Sequence, residues 1–202
     1  MITGPKYKIA RRLGPAVFDK TQTQKFAAKM SDRKTAGRPK KAGSDFGIQL
    51  LEKQKARVTY GMGETQFKNT VEKILAKKGV NISEALMADL ETRLDNTIYR
   101  LGFGKTRQAT RQIVNHGHIN VNGKRLTIPS YKVKVGDVIA IRENSQKKPI
   151  FKDITETLKE QKVPSWLTLN IDKREGKVQG MPKIAANELS FDISQIFQYY
   201  SK

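Results

Sequence analysis

The 202 residues carry 39 Lys and Arg against 19 Asp and Glu, a formal net charge of +20, and contain no cysteine. Disulfides, thiolate metal sites and cysteine nucleophiles are thereby excluded together, while an apolar fraction of 37% suffices for a buried core. No apolar run is longer than four residues, the length of Val138-Ile139-Ala140-Ile141, so neither a signal peptide nor a membrane helix is expected and the chain reads as soluble and cytosolic.

The charge is uneven: +9 over residues 1–45, +1 over 46–92, +9 over 93–155 and +1 over 156–202. Localised excess of this kind is the footprint of a polyanion. Nucleic acid is favoured over an anionic membrane, because no basic stretch also carries a strong apolar helical face. Residues 1–44 form a basic N-terminal arm punctuated by Gly and Pro, and Gly37-Arg38-Pro39-Lys40-Lys41 continues neither a helix nor a strand. Two readings fit it: a disordered tail, or an arm that orders when phosphates neutralise Lys6, Lys8, Arg11, Arg12, Arg38, Lys40 and Lys41.

From Ser44 the pattern becomes helical. Ser44 or Asp45 caps a helix running to about Tyr60. Its Lys53, Lys55 and Arg57 cannot all share one face, so only part of them reaches a single partner. A second helix begins near Glu64 with Phe67, Val71, Ile74 and Leu75 inward and Gly79 as its stop. A third starts near Asn81 or Ser83 and carries Leu86, Leu90 and Leu94. Thr92 with Asp95 offers a cap for a fourth, including Ile98 and Leu101 and ending at Gly102. These apolar stripes are core.

After Gly102-Phe103-Gly104 a short helix spans Thr106 to His116, with Ala109 and Ile113 inward. The period then changes to two: Ile119 and Val121 alternate, Asn122-Gly123 signals a hairpin, and Tyr131, Val133 and Val135 alternate before Gly136-Asp137 and Val138–Ile141. Lys105, Arg107 and Arg111 lie in the turn or on the helix after it, Arg107 and Arg111 on one face, and Arg93 and Arg100 flank them. The helix start at Thr106 adds backbone N–H groups for a phosphate. No acidic residue occurs from Lys105 to Lys134, so contact with RNA or DNA is favoured over a solvated charged face.

Competing motifs fail on their letters. Gly104-Lys105-Thr106 ends like a P-loop, but the first glycine it requires is Tyr99, and Gly102-Phe103-Gly104 is followed by Arg107 where a dinucleotide fingerprint needs glycine. His116 and His118, the only histidines, have no acid nearby to complete a metal site; they stack on or hydrogen-bond to RNA, or close the turn.

Arg93-Leu94-Asp95-Asn96, Tyr99-Arg100-Leu101-Gly102-Phe103, Thr106-Arg107, Arg111-Gln112 and Val121-Asn122-Gly123 together resemble the RNA-binding module named after small-subunit ribosomal protein S-four. That module also occurs in pseudouridine synthases, a tyrosyl-tRNA synthetase class and a small heat-shock RNA binder. Gly4-Pro5 with Lys8 and Arg11-Arg12-Leu13-Gly14, Ser44-Asp45-Phe46-Gly47-Ile48-Gln49-Leu50, Tyr60-Gly61, Pro164-Ser165-Trp166-Leu167 and Tyr200-Ser201-Lys202 extend the resemblance to the ribosomal family over essentially the whole chain. The chain departs from many members in lacking a four-cysteine zinc site, which places it with the zinc-free branch. It also has Leu51 where the family usually has arginine.

The resemblance implies an α+β fold: the N-terminal arm over 1–44, a helical domain over 45–92 with 183–202 packing back on it, an RNA-binding module over 93–155 and its extension over 156–182. Ile193, Ile196, Phe197 and Tyr200 form the apolar face of that returning end, with Phe197 expected to be core. The implied function is structural: binding of 16S-type ribosomal RNA that nucleates the small-subunit body, contact with ribosomal protein S-five that influences decoding accuracy, and basic residues beside mRNA where it enters. No metal, cofactor, membrane or small-molecule substrate is implied, and the location is the cytoplasmic small subunit or that of an organelle. The RNA-binding residues expected are Lys8, Arg11, Arg12, Lys53, Lys55, Arg57, Arg93, Arg100, Lys105, Arg107, Arg111, His116, His118 and Lys124. The alternatives are a pseudouridine synthase, whose catalytic aspartate has an Arg-Leu-Asp context like that of Asp95, and a free RNA chaperone or recycling factor. Only 47 residues follow the module at 155, too few for a catalytic domain. Asp95 is therefore read as a capping and orienting residue, with a modest effect on replacement by asparagine.

Overall fold

Residues 4–35, 43–77, 79–183 and 189–201 are described by a computed structural model of the chain. Arg38, Lys40 and Lys41 of the expected arm lie outside the described residues. The chain divides into two units, Met1–Leu86 with Ile184–Lys202, and Met87–Lys183.

In the first unit, α1 (Lys6–Leu13) follows Pro5 and ends at Gly14, whose φ of 104° only glycine adopts without strain. Two short 3₁₀ turns, Pro15–Val17 and Asp19–Thr21, carry the chain round to α2 (Gln24–Thr35). The buried Thr21 hydroxyl is shared between the Pro15 and Phe18 carbonyls at 2.7 and 2.8 Å. Leu13 and Val17 pack with Val58, and Ile9, Phe18 and Leu51 cover them. The structure thus differs from the expected arm: Ala10, Leu13 and Val17 recur every three to four residues and bury a face of their own. Leu51 serves here as apolar cover.

Ser44 caps α3 (Asp45–Thr59), its Oγ accepting from the Gly47 N–H at 3.2 Å. α4 (Glu64–Leu75) buries Phe67, Val71 and Ile74. At the other end of the chain Asp192 caps α10 (Ile193–Tyr200), accepting from the Ser194 N–H at 2.7 Å. α10 packs on α3 and α4: Glu52 accepts from the Asp192 N–H at 2.9 Å, Gln49 donates to Gln198 at 3.3 Å, and Phe67 meets Tyr200 with ring centroids 6.5 Å apart. The buried centre of α10 is Ile196, not Phe197, which is only half-buried. Ile196→Ala is therefore expected to lower unfolding stability by about 2–5 kcal/mol, and Phe197→Ala by clearly less, in paired urea titrations; equal losses would place the core elsewhere.

The division between the units falls within α5 (Ile82–Glu91). The second unit continues with α6 (Leu94–Arg100), α7 (Arg107–Asn115), β1 (Ile119–Val121), β2 (Lys124–Leu126), β3 (Val138–Ile141), α8 (Glu143–Gln146), α9 (Ile154–Glu160), β4 (Leu167–Asn170) and β5 (Glu175–Val178). The strands form one antiparallel sheet in the order β2-β1-β3-β5-β4. This is an α+β architecture. Asn122 and Gly123, with φ of 50° and 77°, make the two-residue hairpin turn; Ile119 pairs with Ile141 and Val121 with Ile139. Leu94, Ile98, Leu101 and Phe103 pack with Ile113 and Val114 over Ile119 and Ile139.

Two features depart from the periodicity of the sequence. β5 pairs with β3, so residues 167–178 complete the sheet of the module. Gly176 makes this possible, because a Cβ there would stand 2.4 Å from Leu101 Cδ1. The alternating Tyr131, Val133 and Val135 are not a strand. Instead the Leu94 N–H donates to the Tyr131 carbonyl and the Val133 N–H to the Thr92 carbonyl, both at 2.8 Å, tying this segment to the α5–α6 junction. Thr92 is likewise not the cap of α6: that position is Arg93, and the Thr92 hydroxyl donates back to Ala88.

Candidate nucleic-acid interface

α6 and α7 pack against each other across the Gly102–Gly104 turn. Thr106 caps α7, its Oγ1 accepting from the Ala109 N–H at 3.1 Å, and no acidic residue lies in the first turn. Each arginine at this junction is held from within by a carboxylate or an amide. Asp95 accepts from Arg93 Nε and Nη2 at 3.0 and 2.8 Å, and from Arg111 Nε and Nη2 at 2.9 and 2.7 Å. Glu91, with no exposed surface, accepts from Arg100 Nε and Nη2 at 2.8 and 2.9 Å and from Asn96 Nδ2 at 2.8 Å. Asn96 Oδ1 in turn accepts from Arg107 Nε at 2.8 Å, and the Arg107 guanidinium lies 4.3 Å from the centroid of the Tyr99 ring. Bidentate pairing fixes the plane of a guanidinium as well as its place. Arg100 and Arg111 remain partly exposed, with about 30% and 27% of their side chains open to solvent.

The sequence-selected residues separate into three groups. Lys105, His116 and Lys124 are exposed on the second unit, and Lys8, Arg11 and Arg12 on α1. Arg100, Arg107 and Arg111 form the oriented cluster just described. The third group is buried or half-buried and paired within the protein. Arg93, 3% exposed, caps α6 and spends its fork on Asp95, so it does not continue a helical face with Arg100. Lys53, 4% exposed, pairs with Glu64 at 2.5 Å and lies 4.4 Å from the Tyr199 ring centroid. His118 is buried with Nδ1 3.0 Å from Ser145 Oγ and its ring edge-on to Phe151. Lys55 and Arg57 are half-buried and paired, with Glu52 and with Gln54 and Glu64 respectively.

Sequence reasoning missed Glu91 and Asn96, which organise the cluster from nine and eleven residues away, distances at which no local spacing advertises a contact. It also passed over Arg125 and Lys134, both exposed in the acid-free stretch. The Arg125 guanidinium covers Gly117, where an added Cβ would lie 2.2 Å from Nε. Lys132 is drawn inward to Asp89, 2.5 Å from Oδ2, and burial lowers its pKa while Asp89 partly restores it.

Burial, followed by Lys148, His116, Arg125 and Arg142, lowers the pKa of His118 below the ordinary 6.5. An unfolded histidine then takes up its proton at higher pH than the folded one. The stability that neutral His118 contributes is complete above pH 6.5 and is lost as pH falls from 6.5 toward its lowered folded value. His118→Asn is expected to flatten the fall in melting temperature as pH drops below 6.5, relative to the parent protein; parallel curves would assign that pH dependence to other groups. Among the described residues no cluster of His, Asp and Glu is arranged to hold a metal ion, and no helix is long and apolar enough to cross a membrane.

Comparison with known proteins divides the chain at the end of α5, five residues beyond the boundary between the two units. Residues 92–139 match the family model described as S4 domain, and residues 1–91 match that described as Ribosomal protein S4/S9 N-terminal domain. Proteins called small ribosomal subunit protein uS4 are similar over nearly the full length. That of Sulfurihydrogenibium sp. (strain YO3AOP1) is 43% identical over 202 residues, covering 98% of this chain and 97% of its own. That of Chloroflexus aurantiacus (strain J-10-fl) is 41% identical over 204 residues, 98% of each chain. That of Aquifex aeolicus (strain VF5) is 40% identical over 207 residues, 98% of this chain and 97% of its own.

Proposed function

The chain belongs to the ribosomal protein S4 family, and on that premise we propose that it binds 16S-type ribosomal RNA directly and nucleates the body of the small subunit. It is a structural, RNA-binding component of the small ribosomal subunit and not an enzyme. The observation that carries the RNA reading is the arginine cluster at α6–α7, partly exposed and pre-oriented by Glu91, Asn96 and Asp95, and followed by a stretch free of acids from Lys105 to Lys134. Oriented guanidiniums suit phosphate oxygens, and their fixed planes reduce the ordering cost of binding. The pseudouridine synthase alternative is disfavoured, because Asp95 is almost wholly buried and held between Arg93 and Arg111 rather than open to a substrate.

The finer parts of the proposal rest on the family resemblance and the charge map: contact with ribosomal protein S-five bearing on decoding accuracy, and basic residues beside mRNA where it enters a cytoplasmic or organellar small subunit. Binding to 16S-type RNA is expected to fall with salt at a log–log slope of at least about −4, as six neutralised phosphates require. A slope shallower than about −2 contradicts a multi-phosphate interface. Crosslinking in assembled subunits is expected to recover one dominant ribosomal RNA junction and peptides of ribosomal protein S-five.

A further inference from the structure

A cleft of about 720 Å³ opens in the first unit, lined by Tyr7 and Arg11 of α1 and by Thr23, Lys25, Phe26, Lys29 and Met30 at and along α2. Its floor is apolar. The Tyr7 ring is tilted against Phe26 with centroids 5.8 Å apart, and Phe26 is buried while Tyr7 is 43% exposed. The rim is cationic: Arg11, Lys25 and Lys29 line the cleft, and Lys20 Nζ stands 5.5 Å from the Tyr7 ring centroid. Among the described residues, no acidic side chain lines it. An aromatic floor beneath cations is poorly matched to a duplex, whose bases are stacked away, and well matched to a base that has left its stack with the phosphates on either side of it. The volume falls within the about 300–1,000 Å³ usual for sites that enclose a small organic group.

We propose that this α1–α2 cleft is a binding site for a single unpaired nucleotide of RNA, its base against Tyr7 and Phe26 and its flanking phosphates on Arg11, Lys25 and Lys29. The inference rests on the RNA-binding reading and adds to it a second, chemically different contact. The α6–α7 cluster meets backbone phosphates, whereas the cleft requires an unstacked base.

The test compares the full-length chain with Tyr7→Leu, Tyr7→Phe and the pair Lys25→Ala with Lys29→Ala, all binding 16S-type RNA across a salt series. Tyr7→Leu keeps an apolar cover on a half-exposed helix position but removes the ring. It is expected to weaken binding roughly 5- to 150-fold, the range for loss of one base–aromatic stack, with the salt slope unchanged. Tyr7→Phe is expected to bind like the parent. The lysine pair is expected to make the slope shallower by about 1.4–1.8, two phosphates' worth. With 4-thiouridine in the RNA, photocrosslinks are expected in the peptides holding Tyr7, Phe26 or Met30, at one unpaired position. Adenosine monophosphate, the free-nucleotide arm, is expected not to compete at concentrations that saturate a small-molecule site; efficient competition would overturn an RNA site in favour of a nucleotide pocket. Tight parental binding with no loss in Tyr7→Leu and no such crosslink would overturn the inference alone. Failure of the parent to bind 16S-type RNA would overturn the functional reading beneath it.

Discussion

Asp95→Asn is expected to destabilise the second unit by about 3–5 kcal/mol, the cost of removing one partner from a buried charge cluster. The sequence suggests a modest effect, since asparagine caps a helix as well as aspartate does. The structure reverses that expectation, because Asp95 caps nothing: its two oxygens take four N–H groups from Arg93 and Arg111, and Arg93 is almost wholly buried. The amide retains one acceptor oxygen and places an NH₂ against a guanidinium. Urea unfolding followed by far-UV circular dichroism measures the loss. Glu72→Gln, in the exposed Lys68–Glu72 pair at 3.6 Å, is the control and is expected to change stability by less than about 1 kcal/mol. If Asp95→Asn behaves like the control, the two arginines have found other partners and the cluster is not the organising element.

Arg107→Ala combined with Arg111→Ala is expected to weaken binding to 16S-type RNA by about 3–6 kcal/mol, if each guanidinium contributes the 1.5–3 kcal/mol of a charged hydrogen bond. Both residues reach α6 from α7, Arg107 to Asn96 and Arg111 to Asp95, so their forks are held before RNA arrives. Removing Arg111 leaves Asp95 paired with Arg93, which protects the fold better than removing Asp95 itself. The comparison therefore separates affinity from stability: the arginine pair loses RNA binding with a smaller loss of unfolding free energy, and Asp95→Asn does the opposite. Titration of labelled RNA below the unfolding transition reads the first quantity. An affinity within threefold of the parent would move the interface off the α6–α7 face.

Local signals carried much of the architecture. Ser44 as the cap of α3, Thr106 as the cap of α7 and Asn122-Gly123 as the hairpin turn each act within a few residues and are found where the chain places them. The helix bounds miss by a residue or several at places decided from afar. Leu94 continues the apolar spacing of Leu86 and Leu90 yet belongs to α6, because Thr92 and Leu94 exchange backbone hydrogen bonds with the segment at 131–133 and break the helix between them. The same exchange takes Tyr131 and Val133 out of the sheet that their alternation suggests.

Charge is where the sequence and the fold part company most clearly. The sequence by itself determined the excess of cations and its concentration into two blocks, the helix and hairpin signals, and the family. Each of these is a property of composition or of neighbours along the chain. Only the tertiary structure decided which cations face outward. Lys53 and Arg93 read as surface cations beside Lys55 and Arg100, but α10 and Glu64 close over the first and Asp95 captures the second. Glu91 carries no signal in the sequence and Asp95 reads as a helix cap, yet once folded they fix the planes of Arg100 and Arg111. The physical reason is that a charge's role depends on its solvation and on partners 9 to 16 residues distant, and both are set by how helices and sheet pack rather than by the order of residues.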